Sequence, residues 1–224
     1  MSSILVLTAV DVEARGLARH LGLTAVPESS WPHYRGGLLE VVCVGPRAAQ
    51  LAERARWRPP TLVISAGACG ALAPDLAVGR LVVPEAVIGP HGARLAATPA
   101  PPLARTGTLL TVTDAVHRPS DKARLWIETG AVAIDMESFV ILEWAQASGV
   151  PATVIRGVSD AAASGVPADL AAAVEPGGRV NRGHALRAML ARPAALADAI
   201  ALGRATGAAL KTVAAALGQV ARSR

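Results

Sequence analysis

Short apolar runs alternate along this chain with longer segments in which apolar residues recur at helical spacing. The first run, Ile4–Leu7, predicts a buried strand, and Val12–Leu21 after it predicts a helix. Further buried strands are predicted at Leu38–Val44, Thr61–Ser65 and Gly107–Val112. Strands that alternate with helices are typical of α/β proteins. We therefore predict an α/β fold in which helices flank a central mixed β-sheet in three layers.

The segments between these runs are assigned from their turn-forming residues and periodicity. Helices are predicted at Ala48–Trp57 and at Ser120–Thr129, the second with Ser120 as its cap. Val26–Arg35 contains Pro, Ser and Gly and is predicted to be a loop. Gly89–Leu103 is rich in Pro, Ala and Gly, which indicates a loop or a trimmed hairpin.

The most regular pattern is a strand, a helix and a second strand near the middle of the chain. Ala131–Asp135 and Ala152–Val158 are apolar runs, and Glu137–Ala147 between them has apolar residues at helical spacing. Two apolar strands joined by a helix indicate a parallel βαβ unit that is buried on both faces. Ligands bind beyond the carboxyl ends of such strands. Asp135, Glu137 and Asp160 fall at those ends, which makes them candidate site residues.

Two strings within this unit carry a family resemblance. IDMES at 134–138 and RGVSD at 156–160 resemble the nucleoside phosphorylase and nucleosidase superfamily. The resemblance implies that Met136 and Glu137 hold the ribose and that Asp160 protonates the purine, with Asp135 and Ser159 beside them. The longer string AVAIDMESFV, together with the C-terminal region, most resembles the hopanoid-associated phosphorylase branch. That branch implies cleavage of adenosylhopane with release of adenine.

The resemblance also extends to the first strand and to the end of the strand at 107–112. Aligning LVLTAVDVEA by its strand implies that Glu13 activates an attacking water, with Asp11 as the less favoured candidate. Val116 and His117 follow a strand and are expected to border the base. A histidine in a loop is also commonly a solvated residue, so His117 is the weaker of these two candidates.

A stretch of small residues follows the strand at Thr61–Ser65. Gly67 and Ala68 lie in this predicted Gly-rich turn, where small side chains would let a ligand approach the backbone. Phosphorolytic relatives of the hexameric purine type carry Arg where this chain has Ser65 and Ser where it has Ala68. Both groups bind phosphate in those relatives, so these departures put the usual phosphate site in doubt.

The attacking group is therefore open between water and phosphate. Glu13 would serve water as a general base, whereas Arg15 or Arg47 would bind phosphate through charge and paired donors. A buried carboxylic acid with a raised pKa can protonate the departing base, and Asp160 is the candidate for that role. Glu137 would oppose the positive charge that develops on the sugar.

Composition favours a folded globular protein. Hydrophobic residues make up 52% and charged residues 17% of the 224-residue chain, which favours a packed core over disorder. We predict one domain over 1–224, in which 179–224 form a helical basic tail packed on the rest. The chain has only two cysteines, Cys43 and Cys69, and lacks CxxC spacing, so we expect reduced buried thiols and no metal site.

The expected partners follow from the charge and from the resemblance. The net charge of +5 is a weak preference for anionic partners, and the tail carries cations at Arg187, Arg192, Arg204 and Lys211. These cations belong either to a solvated helical face or to a surface that approaches acidic lipids. We expect a cytoplasmic homo-oligomer that touches a membrane transiently, binds no nucleic acid and needs no cofactor other than phosphate as a possible co-substrate.

Three functions remain open from the sequence. The first is purine nucleoside cleavage in hopanoid biosynthesis, with adenosylhopane as substrate. The second is a methylthioadenosine/S-adenosylhomocysteine or futalosine nucleosidase. The third is a nucleoside-binding module without turnover. Release of adenine from simple nucleosides would separate the enzymes from the binding module.

Overall fold

The computed structural model describes residues 3–55, 60–165, 175, 177–178 and 194–224. Eleven strands within these residues form one sheet: β1 Ile4–Thr8, β2 Thr24–Ala25, β3 His33–Gly36, β4 Leu39–Cys43, β5 Leu62–Ala71, β6 Leu81–Val82, β7 Ala86–Ile88, β8 Arg94–Ala96, β9 Thr108–Thr111, β10 Ala133–Asp135 and β11 Ala152–Asp160. The described α-helices are α1 Asp11–Leu21, α2 Leu51–Arg54, α3 Pro119–Thr129, α4 Ser138–Ala147 and α5 Ala194–Arg222. The predicted α/β fold with a mixed central sheet is confirmed.

The long strand β5 is the centre of the sheet. It pairs in parallel with β11 along Val63–Gly70, and with β1 along Leu62–Ser65. At its carboxyl end it pairs antiparallel with β10 through Gly70 and Ala71. Because β11 follows one edge of β5, β1 and β10 share the other edge. Strand β5 therefore borders the strands that carry Asp135 and Asp160 and the strand that leads into the helix of Glu13.

The predicted parallel βαβ unit is wrong. Strand β10 runs antiparallel to β5 and β11 runs parallel to it, so the two strands point in opposite directions with β5 between them. An apolar run shows that a strand is buried but does not encode its direction. The carboxyl ends still meet, because both Ile134 and Asp160 pair with Gly70 from opposite edges of β5.

The sheet separates two apolar layers. Alternate residues of β1 point to opposite faces, as the pleat requires: Leu5 and Leu7 join the layer that contains α4, whereas Ile4 and Val6 join the layer that contains α1 and α5. The α5 helix packs directly on β11, since a Cβ at Gly157 would lie 2.5 Å from the carbonyl oxygen of Ala209.

Several local predictions are corrected by the structure. The predicted Gly-rich turn is instead part of β5, which continues to Ala71 because small residues do not interrupt its pairing with β11. Of the helix predicted at Ala48–Trp57, the described residues form only α2, which begins at Leu51 after a sharp turn at Arg47; the last two predicted residues lie outside the described part of the chain. The predicted loop at Val26–Arg35 ends in β3, which pairs with β4.

Two further predictions are refined. Gly89–Leu103 includes β8, which forms a hairpin with β7, so the hairpin interpretation is the correct one. Helix α3 begins at Pro119 after Arg118, so Ser120 lies inside the first turn and is not the cap. Proline is favoured at this first helical position because its nitrogen needs no partner there.

The tail prediction is confirmed for its last helix. The helix predicted from Pro193 to Ala221 corresponds to α5, whereas the helix predicted at Ala185–Ala191, with Arg187, and the cation at Arg192 lie outside the described residues. By length and composition, Ile200–Arg222 could cross a membrane. Seven of its residues are buried in the layer shared with α1, which accounts for its apolar character as core packing: Ala209, Leu210, Val213, Ala214, Ala216, Leu217 and Val220.

Candidate active site

Arg156, the fifth residue of β11, lies among the carboxyl groups of Asp135, Glu137 and Glu13. Its side chain is 1% exposed, forms an ion pair with Asp135 Oδ2 at 2.7 Å and lies 3.6 Å from Glu137 Oε2. It also donates to Ser65 Oγ at 2.9 Å. Burial lowers the pKa of Arg156, but Asp135, Glu137 and Glu13 together raise it above its usual value. The guanidinium is therefore a fixed positive charge at the centre of the site.

Glu13 is buried in the first turn of α1. Its Oε2 accepts hydrogen bonds from the backbone N–H of Ala9 at 3.0 Å and Val10 at 3.3 Å, and its Oε1 accepts from Ala68 N–H at 2.8 Å. Burial raises the pKa of Glu13, while the charge of Arg156 and these N–H donors oppose the rise. A carboxyl group with a raised pKa is suited to take a proton near neutral pH.

Glu137 precedes α4 and is 6% exposed. Its Oε1 accepts a hydrogen bond from Arg47 N–H at 3.0 Å. Burial raises the pKa of Glu137 to about 7; Arg156 opposes this rise, and Asp135 adds to it. The carboxyl group is therefore poised between its two protonation states at neutral pH.

Both carboxylate oxygens of Asp135 bond to other residues of the protein. Thr111 Oγ1 donates to its Oδ1 at 2.6 Å, and Ser138 donates to its Oδ2 from both the backbone N–H at 3.1 Å and the hydroxyl at 2.5 Å. Together with the Arg156 ion pair, these bonds occupy both oxygens. Asp135 thus fixes the start of α4 and the orientation of the guanidinium.

Asp160, the last residue of β11, forms an ion pair with Lys122. The Lys122 ammonium contacts Asp160 Oδ2 and also donates to the Ala161 carbonyl oxygen at 2.9 Å. Ser159 Oγ donates to Asp160 Oδ1 at 2.9 Å. The side chains of Lys122 and Asp160 are 1% and 12% exposed. Because both carboxylate oxygens have donors, the side chain has a fixed orientation.

Four of these charged residues, Lys122, Asp135, Glu137 and Asp160, line a cavity of about 190 Å³. The residues that line it come from β5, β10, β11, α3 and the segment after β9: Ala68, Cys69, Gly70, Val112, Ala115, Val116, Lys122, Ile134, Asp135, Met136, Glu137, Ser159 and Asp160. In the described part of the chain, no three His, Cys, Asp or Glu side chains are grouped as a metal site.

The structure brings most of the predicted site residues together. Seven of them line the cavity: Ala68, Val116, Asp135, Met136, Glu137, Ser159 and Asp160. Glu13 and Gly67 lie directly behind this wall, because Glu13 bonds to Ala68 and a Cβ at Gly67 would meet Glu13. His117 is not among the lining residues in the described structure, so its predicted border position is not supported.

The two candidate phosphate ligands are not placed in the cavity. Arg15 is 51% exposed and pairs with Asp11 at 2.5 Å, one turn earlier on α1. Arg47 contacts Glu137 through its backbone and lines a neighbouring groove instead. Its φ of +56° is unusual for a residue with a side chain, and such conformations concentrate at functional sites.

That groove, which we call the Met136 groove, has a volume of about 350 Å³. Its lining is mainly apolar and comes from the hairpin after β7, from β9 and from α4: Arg47, Pro90, Ala93, Thr111, Val112, Thr113, Met136, Phe139, Val140 and Glu143. Met136 and Val112 also line the cavity, so the two spaces adjoin.

Two residues at the centre of the site, Arg156 and Lys122, were not predicted from the sequence to have a role. Arg156 stood within a quoted motif, and a lone cation in an otherwise apolar strand is a usable signal, since buried charges require partners. Lys122 carried no such signal, because it belongs to a helix with charged residues on both sides in sequence. Only the packing of α3 against the end of β11 shows that it is buried.

Comparison with known proteins decides the family. Residues 3–102 and 92–192 match the family described as the phosphorylase superfamily. The chain belongs to the phosphorylase superfamily. Membership places it among enzymes that cleave the N-glycosidic bond of nucleosides. A search of curated protein sequences found no match.

Solved structures share the fold of this superfamily member. A mutant of the methylthioadenosine nucleosidase of Helicobacter pylori, with 5′-methylthioadenosine in its active site, has a TM-score of 0.69 and 15% identity, with all of both chains covered. Futalosine hydrolase from the same organism has a TM-score of 0.70 and 16% identity, covering 100% of this chain and 98% of its own. The apo methylthioadenosine nucleosidase of Arabidopsis thaliana has a TM-score of 0.67 and 18% identity, covering 98% and 96%.

Proposed function

We propose that this enzyme is a purine nucleosidase that uses water as its nucleophile. The observation that carries the proposal is that Glu137 and Asp160 line one cavity and Glu13 lies directly behind its wall, with Arg156 near both Glu13 and Glu137. Glu137 accepts ribose hydroxyl groups and opposes the charge that develops at C1′. Asp160 delivers a proton to the departing base, and Glu13 removes a proton from the attacking water.

The charge balance around Arg156 supports water rather than phosphate. Three buried carboxyl groups, Glu13, Asp135 and Glu137, surround this single guanidinium. A phosphate entering here would meet more negative than positive charge, and repulsion is strong where water is excluded. Ser65 does not offer a free donor either, because its hydroxyl group contacts Ser138 Oγ at 3.0 Å and receives a bond from Arg156.

The Met136 groove supports a substrate with an apolar 5′ substituent. A cavity of about 190 Å³ is smaller than the roughly 300–1,000 Å³ typical of sites for larger ligands. The base and ribose would occupy it, and the adjoining groove of about 350 Å³ would receive the substituent. With the family resemblance of the central strings, this favours adenosylhopane, cleaved to adenine and ribosylhopane. Burial of the hydrocarbon would drive its binding.

A membrane-bound hydrocarbon would have to reach this groove from the sheet face that carries α4. Arg204 and Lys211 lie on α5, which packs on the opposite face, so these two cations do not surround the groove. Arg47 is the one lysine or arginine among the described residues that line the groove, and it would be the cation there that meets an acidic membrane surface. Any contact with a membrane, like the homo-oligomeric state and the cytoplasmic location, stays a prediction.

The test is a comparison of rates across nucleosides whose 5′ substituents increase in apolar length. Free adenine is measured for adenosine, methylthioadenosine and adenosines with longer 5′-alkyl groups. We expect kcat/KM to rise with alkyl length. A steep preference for methylthioadenosine would identify a soluble nucleosidase instead, and binding without any release of base would identify a nucleoside-binding module.

A substitution in the groove makes this test specific. Ala93→Trp should narrow the Met136 groove and lower kcat/KM for the long-chain substrates by about tenfold or more, while adenosine is little affected. Ala104→Trp, at an exposed position outside the groove, is the matched control. Equal losses for long and short substrates would show that the groove does not receive the substituent.

A further inference from the structure

Lys122 is a buried cation whose position the proposed roles leave unexplained. Its side chain is 1% exposed, and its ammonium contacts Asp160 Oδ2 and the carbonyl oxygen of Ala161. A lysine side chain is seldom buried, because removing its charge from water costs several kcal/mol unless a partner compensates. Helix α3 directs this lysine into the cavity wall at the one carboxylate assigned to the departing base.

The ion pair changes where the available proton is held. With Lys122 in contact, the favoured state of the pair is a carboxylate and an ammonium, so the mobile proton resides on Nζ. A base that departs with the electron pair of the glycosidic bond needs that proton. Asp160 lines the cavity, so the carboxylate that contacts the donor also borders the space proposed for the base.

We propose that Lys122 is the source of the proton that Asp160 passes to the departing base. This inference depends on the proposed nucleosidase function. The Lys122 N–H bond breaks as an O–H bond forms on Asp160. As the C1′–N bond breaks, its electron pair goes to the purine, that same O–H bond breaks, and an N–H bond forms at a ring nitrogen. The lysine becomes neutral and the aspartate remains ionised.

The protons released and taken up by the enzyme are equal in number over one turnover. Glu13 accepts one proton from the attacking water and releases it to solvent, and Lys122 regains one from solvent. The net reaction is nucleoside plus water giving the free base and the sugar. Lys122 thus acts through Asp160, as a positioning residue and proton source.

The experiment compares two substrates in the same enzyme preparations. The adenine released from adenosine needs a proton, whereas the 4-nitrophenolate released from 4-nitrophenyl riboside is an anion that is stable at neutral pH. Lys122→Met should lower kcat for adenosine by about a hundredfold or more, the range for removing proton transfer. Its rate with the nitrophenyl substrate should stay within about tenfold of wild type.

Lys122→Arg separates proton supply from charge. A guanidinium keeps the positive charge beside Asp160 but does not give up its proton in proteins. It should therefore fail with adenosine as Lys122→Met does, while retaining cleavage of the nitrophenyl substrate. Restoration of adenosine cleavage by Lys122→Arg would overturn the proposal and leave Lys122 a purely electrostatic role.

A double variant shows whether the loss of activity in Lys122→Met comes from misfolding caused by an unpaired buried charge. Removing one partner of a buried pair leaves an unpaired charge, whereas Lys122→Met combined with Asp160→Asn removes both charges. If the two residues act in series, this variant loses no more activity than Asp160→Asn alone. Additive losses would contradict the proposal, as would equal losses for both substrates in Lys122→Met. If the wild-type enzyme releases no base at all, the proposed function itself fails.

Discussion

Glu13 occupies the space that a side chain at Gly67 would require. A Cβ at Gly67 would lie 2.5 Å from Glu13 Oε1 and 2.8 Å from an Arg156 guanidinium nitrogen. Gly67 also has a φ of +153°, which side chains disfavour. The glycine therefore allows the carboxylate of α1 and the guanidinium of β11 to meet on β5.

This contact predicts that Gly67→Ala damages the site more than the fold. The new Cβ would overlap Glu13 Oε1, so the Glu13 side chain must move away from its present position. We expect kcat to fall by at least tenfold and the free energy of unfolding to fall by about 1–3 kcal/mol. Steady-state rates and thermal unfolding measure the two effects. Gly203→Ala on α5, where a Cβ meets nothing within 4 Å, should leave activity unchanged and add about 0.5–1 kcal/mol of stability. Similar effects from both variants would refute the packing argument.

Asp160→Asn should abolish most base release while nucleoside binding persists. The amide matches the carboxylate in shape but cannot pass on a proton, so we expect a fall in kcat of about a hundredfold or more. Asp75→Asn, at an exposed position, is the control for the chemical change alone. Near-normal turnover in Asp160→Asn would remove Asp160 from the mechanism.

Glu137→Gln should weaken ribose binding and change its dependence on pH. The pKa of Glu137 is raised to about 7, so the free enzyme gains the carboxylate as pH rises through that value. Because the carboxylate is the stronger acceptor for hydroxyl groups, KM should fall between pH 6 and pH 8 in the wild type. In Glu137→Gln we expect KM to be about tenfold higher and flat over this range. An unchanged pH dependence would assign the titration to another group.

The same raised pKa has a consequence for stability. Between the ordinary carboxyl pKa near 4.5 and about 7, folded Glu137 binds more protons than the unfolded chain does. Its contribution to the free energy of unfolding must therefore fall as pH rises through this window. The free energy of unfolding, measured with denaturant at pH 5 and at pH 8, should fall less between these two pH values in Glu137→Gln than in the wild type. An equal fall in both proteins would contradict the assignment of this pKa to Glu137.

The sequence was sufficient to predict six of the eleven described strands and seven of the residues that line the cavity, for identifiable reasons. Runs such as Ile4–Leu7 are apolar because the sheet is covered on both faces, so the strands were predictable. The direction of β10 was not, because its three residues carry no information about which way β5 meets them. Glu137 and Asp160 were found through short motifs that remain recognisable even though the predicted βαβ geometry was wrong.

The unpredicted parts depend on packing between distant segments. Lys122 looks like a surface residue of α3 until the helix is placed against β11. Asp135 bonds to Arg156 and Ser138 because β10, β11 and the start of α4 meet at one point. Likewise, the turn at Arg47 is stabilised by a bond from its N–H to Glu137 at 3.0 Å across 90 residues of sequence.

The most direct test of the account is to follow the sugar product in phosphate-free water enriched in ¹⁸O. The enzyme is incubated with an adenosine that carries a 5′-alkyl chain, and free adenine and the sugar are quantified by mass spectrometry. We predict equal amounts of adenine and of a sugar carrying one ¹⁸O at C1, with a rate that added phosphate does not increase. Turnover only when phosphate is supplied, with a sugar 1-phosphate as the product, would contradict the account.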